Sequence, residues 1–360
     1  MTGPDSPVAT VSRRVAILGA GGIAFGYAAF LRQQGHEVTL WSPSGHGTAA
    51  LANGADLRAS GAVVGGWKVR VASTCAEALS SAQLVIVALP AYGHRTVIDA
   101  MAPHVENGQV VVFSAHLSLA AQVLRRALSA RGVAAPVAAL GTTVLTARKS
   151  EPDAVRIGTV RQKVDIAVLP VEATGDVVAQ CCDLFGDRFE ATPDLLSVAL
   201  ANLNPQNHLA IALCNLTRME LGETWRQASH ITPAVCRLIE ALDAERLALA
   251  AAFGIQVRTV HQHIHLSYGV SIGSLAEMEH ELAQRPGGVN GPATLDTRYV
   301  TEDVPFGLVP TLELAALMGV PMPLHEAGVR TMSALYGRDF AGENDLLPAL
   351  GRLSREILIG

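Results

Sequence analysis

The residues of this chain whose types and spacing suit chemistry fall into two groups. The first is Gly19-Ala20-Gly21-Gly22-Ile23-Ala24, a GxGxxA pattern that follows the apolar run "VAIL" and opens a helical segment. Gly19 permits a tight turn, Gly21 lets a pyrophosphate approach the backbone, and small Ala24 lets helix and sheet pack closely. The unpaired N–H groups of the helix start then face the phosphates, so Gly19, Gly21, Gly22, Ile23 and Ala24 form the expected dinucleotide cradle. A ribose with free hydroxyls is held by an acid about 20 residues further on. Here "LWSPSGHGT" offers Trp41, Ser42, Ser44, His46 and Thr48, with no Asp or Glu. A carboxylate would repel a 2′-phosphate, whereas hydroxyls and an imidazole can hydrogen-bond it. The expected cofactor is NADP, with NAD as the alternative.

Two more segments belong to this group. "ALPAYGHRTVI" puts Pro90 and Tyr92 at the carboxyl end of a strand, where open α/β sheets bind ligands. His94 and Arg95 read there as a solvated helix start. "FSAHLS" brings His116 to the same edge without a partner motif.

The second group lies in the other half of the chain. His208 sits one turn into a helix whose start is marked by Asn204 as N-cap and Pro205 at the first helical position, with Leu209, Ala212, Leu213 and Leu216 on its apolar face. On periodicity alone it is a polar helix residue. "DTRYVTEDVPFGLVP" gathers Arg298, Glu302 and Asp303 ahead of Pro305 and Gly307, within a Gly- and Pro-rich stretch, 286–310, that lacks helical periodicity. "HQHIH" would present His261, His263 and His265 on one side of an extended segment. No carboxylate or Cys accompanies them, and no metal is expected.

These residues need elements to position them. Short apolar runs at "VAIL", "EVTLW", "VRVA", "LVIVAL", "VVVF" and "VAAL" alternate with helical patterns, which predicts an α/β Rossmann-like, doubly wound parallel sheet. "VRIGTV" and "VDIAVLP" lie too close together for a crossover helix and read as a hairpin or edge pair. Beyond Pro193 helical periodicity takes over, in 203–223, 232–253, 274–282 and 310–318, and predicts an all-helical C-terminal domain. The expected organisation is a disordered tail over 1–12, a dinucleotide domain over 13–192 and a helical substrate and catalytic domain over 193–360.

Bulk properties narrow the function classes. A net charge of −5 with no basic stripe argues against nucleic acid, and apolar runs break before the roughly 20 residues that span a bilayer, so no membrane association is expected. The leader "MTGPDSPVATVSRR" lacks a secretory apolar stretch, and the five cysteines are odd in number without ligand-like spacing. Reduced thiols in a cytoplasmic protein are expected. The long apolar helices also suit a homodimer.

The GAGGIA turn, "WSPSG", "NPQNH", "ITPAVCRLIEALDAERLALAAAFG" and above all "TRYVTEDVPFGLVP" resemble the octopine/nopaline (opine) dehydrogenase family over nearly the whole chain. The resemblance departs at Leu209, where Pro is common in the family. It implies NAD(P)H-dependent reductive condensation of an amine, typically an amino acid's, with a 2-oxo acid through an imine. It also implies a catalytic pair at His208 and Asp303. Loss of water from a carbinolamine needs a proton donor near neutral pH, which imidazole supplies, and a carboxylate on the other ring nitrogen sets the tautomer. Substrate carboxylates call for cations, and Arg148 and Arg298 are the candidates, with Asn204 orienting the His helix. Trp225 is expected at the rim of the substrate cleft. The alternatives are an imine or ketone reductase on the same scaffold, a ketopantoate-reductase-like dehydrogenase and a non-catalytic NADP sensor. The ketopantoate-reductase-like reading relies on a helical Lys, and this chain has none after Lys163.

Overall fold

The computed structural model describes residues 12–115, 117–354 and 358. The expected tail up to residue 11 and His116 lie outside the described residues. The described chain divides into two compact units, one of 12–115 and 120–194, the other of 117–119 with 195–354 and 358.

The first unit holds twelve strands: β1 Arg14–Leu18, β2 Glu37–Trp41, β3 Leu57–Gly61, β4 Gly65–Trp67, β5 Arg70–Val71, β6 Leu84–Val87, β7 Val110–Phe113, β8 Val137–Leu140, β9 Leu145–Glu151, β10 Ala154–Val160, β11 Val164–Leu169 and β12 Phe189–Ala191. Eight of them form one sheet in the order β12-β11-β8-β7-β6-β1-β2-β5. All neighbours are parallel except β11 against β8. Every residue of β6, β7 and β8 is buried, which is why those runs are apolar without alternation. Strand order reverses between β1 and β6, and that crevice is where ligands of such sheets bind.

The other four strands form a second sheet, β4-β3-β10-β9. The helix Gly22–Gln33 packs on its β9 and β10. This corrects the expected hairpin: β10 pairs with β9 and β3, whereas β11 joins the large sheet against β8. β9 escapes a sequence reading because only one of its faces is covered, leaving "LTARKSE" mostly polar. His94, expected to be solvated, is 2% exposed and packs edge-on against Phe113. Burial pushes its imidazole down to about 4. Arg95 is half-buried and pairs with Asp99 one turn on.

The second unit is helical, with major helices Leu195–Ala201, Asn204–Cys214, Pro233–Phe253, Val260–Tyr268, Leu275–Gln284, Val309–Met318 and Pro323–Tyr336. The long periodic stretch expected over 203–223 breaks at Asn215 into two helices. Leu209, Ile239, Leu242, Val304, Leu308 and Met332 lie in one core, each such side chain contributing about 2 kcal/mol by leaving water. A buried ion pair sits within it. Arg246 donates to Asp243 at 2.6 Å and to the Arg258 carbonyl at 2.6 Å, and Asp243 accepts from the Val260 N–H at 2.9 Å. These bonds tie the Pro233–Phe253 helix to the start of the next. "HQHIH" lies on that next helix, so its imidazoles step around an axis instead of sharing a side. His261 meets Glu240, His265 meets the Val270 carbonyl, and among the described residues no group of three or more His, Cys, Asp or Glu is placed to hold a metal. No helix among the described residues is long and apolar enough to cross a membrane. All five cysteines are free, with Cys214 exposed.

Candidate active site

The turn after β1 is shaped by what a side chain would meet. Gly19 has φ +145°, and a Cβ there would lie 2.2 Å from the Ala88 carbonyl oxygen at the end of β6. Its N–H donates to the Trp41 carbonyl at 2.8 Å, so three strand ends converge on it. Gly21 is the extended N-cap of the helix, exposed, with nothing within 4 Å of an added Cβ. No acidic residue occupies the first turn of this helix, and its leading N–H groups have no side-chain cap. A pyrophosphate fits such a turn by approach to bare backbone and by charge. Gly22 and Ile23 are half-buried and Ala24 is fully buried against the sheet.

Around that turn, Trp41 and Ser42 are each 8% exposed, while Ser44 and His46 are exposed. The Ser42 hydroxyl is buried with no hydrogen-bond partner among the described residues. Pro90 is half-buried and Tyr92 is 54% exposed in the turn that leaves β6. Arg148 is exposed on β9, directly across from Arg156 of β10, in this unit and not in the one that holds His208.

The second group assembles in the helical unit. His208 Nδ1 lies 2.7 Å from Asp303 Oδ2, with the two side chains 18% and 9% exposed. The His208 ring stacks on Tyr299, centroids 3.6 Å apart and planes 8° from parallel. The Tyr299 hydroxyl donates to Gln227 Oε1 at 2.7 Å. Nε2 of His208 is thus the ring nitrogen not engaged by Asp303.

Packing explains how residues so far apart in sequence meet. Asp303 leads into a π-helical turn, Val304–Leu308, a geometry that re-aims side chains and recurs at functional sites. A Cβ on Gly307 would lie 2.5 Å from Pro205 Cγ, so glycine lets this turn close on the first turn of the His208 helix. Gly328 does the same for Leu209, where a Cβ would meet Cδ2 at 2.4 Å. The turn is also held by its carbonyls. Asn344 Nδ2 donates to the Pro305 oxygen and to Ser118 Oγ, both at 2.8 Å, and the Ser118 hydroxyl donates to the Phe306 oxygen at 2.8 Å.

Other expected residues stand differently. Asn204 is not the N-cap, a position taken by Leu203. It is the exposed first residue of the helix, and its N–H donates to Asn202 Oδ1 at 3.0 Å. Arg298 is exposed and pairs through Nε with Glu302, which is itself 2% exposed. Trp225 lies not at a cleft rim but in the core, 3% exposed, with its indole N–H donating to the Pro292 carbonyl at 3.0 Å. Tyr299 and Gln227 were not singled out from sequence. Tyr299 sits inside the "TRYVTEDVPFGLVP" stretch, and only its stacking on His208 marks it.

A sheet of this topology carrying the GxGxxA turn, followed by an all-helical unit, defines a class, the two-unit NAD(P)-dependent oxidoreductases. Residues 191–336 match the family described as NAD/NADP octopine/nopaline dehydrogenase, alpha-helical domain, and residues 15–170 match ketopantoate reductase PanE/ApbA. The opine dehydrogenase of Arthrobacter sp. (strain 1C) is 30% identical over 347 residues, 94% of this chain and 95% of that protein. The chain belongs to the opine dehydrogenase family and is an NAD(P)-dependent oxidoreductase acting on CH–NH bonds. Two solved structures share the fold. Octopine dehydrogenase with NADH and L-arginine superposes at TM-score 0.77, 18% identical, over 91% of this chain and 90% of that one. Yersinopine dehydrogenase with NADP+ bound superposes at 0.69, 16% identical, over 93% and 98%.

Proposed function

We propose that this enzyme uses NADPH to join the amine of an amino acid to a 2-oxo acid, through an imine, giving a secondary amine with two carboxylates. The observation that carries the reading is the 2.7 Å contact between His208 Nδ1 and Asp303 Oδ2 on a ring already clamped by Tyr299. A carboxylate on Nδ1 sets the tautomer and stabilises the ring when it is protonated. Nε2 then gives a proton to the departing hydroxyl of the carbinolamine, and water leaves as the C=N bond forms. Hydride for the imine carbon is what a bound nicotinamide supplies. Arg298 is the cation of this unit assigned to a substrate carboxylate, its Nε resting on Glu302. Arg148 and Asn204, both exposed, remain candidates for substrate contact.

Two features favour NADPH over NADH. No Asp or Glu occurs from Trp41 to Ala55, and the buried Ser42 hydroxyl has no hydrogen-bond partner among the described residues. The substrate class is supported by octopine dehydrogenase, whose structures hold NADH with L-arginine, with agmatine or with pyruvate. The test is NADPH oxidation against a matrix of amines and 2-oxo acids, with mass spectrometry of each mixture. The expected product has the summed mass of the two substrates less one oxygen atom. Tight NADPH binding with no consumption in any mixture would overturn the assignment of amines and 2-oxo acids as the substrates.

A further inference from the structure

We infer that Lys149 is the cation that reads the 2′-phosphate of NADP, reaching from β9 to the turn after β2. The inference rests on the NADPH preference proposed above and supplies the positive charge that the β2 turn itself lacks.

The chain has three lysines, and the other two are committed: Lys68 pairs with Asp56 and Lys163 with Glu190. Lys149 has no carboxylate within ion-pair distance among the described residues. Its Nζ lies 2.6 Å from the Gly47 carbonyl oxygen and 4.1 Å from the centroid of the Phe25 ring. A neutral carbonyl and a ring face are weak company for a half-buried ammonium, and burial lowers its pKa, offset only in part by the charge of the more distant Asp153. A phosphate would reverse that.

The position is imposed by close packing. β9 crosses the start of the first helix so tightly that a Cβ on Gly22 would lie 2.7 Å from the Ala147 carbonyl oxygen and 2.9 Å from the Lys149 backbone nitrogen. On the other side, a Cβ on Gly47 would lie 2.5 Å from the Ala20 Cβ. The pyrophosphate turn, the turn after β2 and the Lys149 ammonium are therefore neighbours within one unit. From Trp41 to Ala55 the chain holds no acidic residue, and the unpartnered Ser42 hydroxyl lies at the start of that stretch. One ammonium, serine hydroxyls and the His46 imidazole make a seat for a phosphate dianion.

The test is calorimetric titration of the full-length protein with 2′,5′-ADP, which carries the phosphate in question, and with 5′-ADP, which does not. The wild type should prefer 2′,5′-ADP. Lys149→Gln should weaken 2′,5′-ADP by about tenfold to a hundredfold, as loss of a charge-assisted contact does, and leave 5′-ADP within about twofold. Lys149→Arg should restore most of the preference, which separates charge from folding. A wild type that binds both ligands equally would overturn the NADPH preference and this inference together. An intact preference in Lys149→Gln, or equal weakening of both ligands, would overturn the role of Lys149 alone. The condensation chemistry is untouched by either result, because no amine or oxo acid enters the titration.

Discussion

The imidazole of His208 lies flat on the phenol of Tyr299, 3.6 Å between centroids and 8° from parallel, while its Nδ1 meets Asp303 at 2.7 Å. The stack fixes the plane of the ring, and the carboxylate fixes its rotation within that plane. One nitrogen is left aimed and the other occupied, which is the arrangement a proton donor needs.

Removing the imidazole should stop chemistry without touching the Gly19–Ala24 turn proposed to hold the cofactor, which lies in the other unit. His208→Ala is expected to lower kcat by about 10²–10⁴-fold while NADPH affinity, read by fluorescence titration, stays within about twofold. Asp303→Asn should lower kcat in the same range by favouring the wrong tautomer. Wild-type turnover in either variant would remove that residue from the mechanism.

Tyr299 is a positioning residue, and its two contacts can be separated. Tyr299→Phe keeps the stack and loses the hydroxyl bond to Gln227, so kcat should change by less than about threefold. Tyr299→Leu loses the stack as well, and an aromatic pair worth about 1.4 kcal/mol corresponds to about tenfold in kcat. KM for the 2-oxo acid should move less than kcat. If the Phe variant falls as far as the Leu variant, the hydroxyl bond and not the stack holds the ring.

The approach of Gly307 to Pro205 sets the spacing of the pair. Gly307→Ala forces the π-helical turn off the His208 helix, with an overpacking cost of about 1–3 kcal/mol. Thermal melts should report that loss. Turnover should drop further than stability alone explains, since the added methyl group also separates Asp303 from His208; a variant that is less stable yet fully active would show that the pair tolerates the shift.

Glu279, 7% exposed on the Leu275–Gln284 helix, should make stability fall as pH rises. Burial pushes its carboxyl up to about 7 from an ordinary 4.5. A folded-state pKa above the unfolded one means the buried acid is tolerated fully below pH 4.5 and becomes a burden as pH climbs through about 7. The shift corresponds to about 3 kcal/mol at most. Glu279→Gln mimics the protonated form, so urea melts should show it more stable than wild type at pH 8.5 and nearly equal at pH 4.5. Parallel curves across that window would mean Glu279 ionises in the fold without cost.

The glycine turn after β1 is legible in the sequence because its constraints are local. Gly19, Gly21 and Ala24 fall within six residues of one strand-to-helix turn, and the uniformly apolar β6 to β8 announce their burial on both faces. The Asn204–Cys214 helix was legible too, from Pro205 onward. Where local signal and tertiary burial diverge, the reading failed: His94 looks like a polar helix start and is sealed against Phe113, and Trp225 looks like a binding aromatic and is a core residue. β9 and β10 were mispaired or missed because a half-covered strand carries mostly polar residues, and its partner is chosen by the helix it must cover.

By itself the sequence determined the parallel-sheet unit, the bare glycine turn, the absence of an acid after Trp41 and the presence of His208 and Asp303 as candidates. Tertiary structure alone decided that those two side chains touch, that Tyr299 lies under the imidazole and that Lys149 reaches the β2 turn. The difference is physical. A turn or a buried strand is dictated by neighbours along the chain, whereas these contacts exist only because glycines at 22, 47, 307 and 328 let distant backbones close to within the reach of a single side chain.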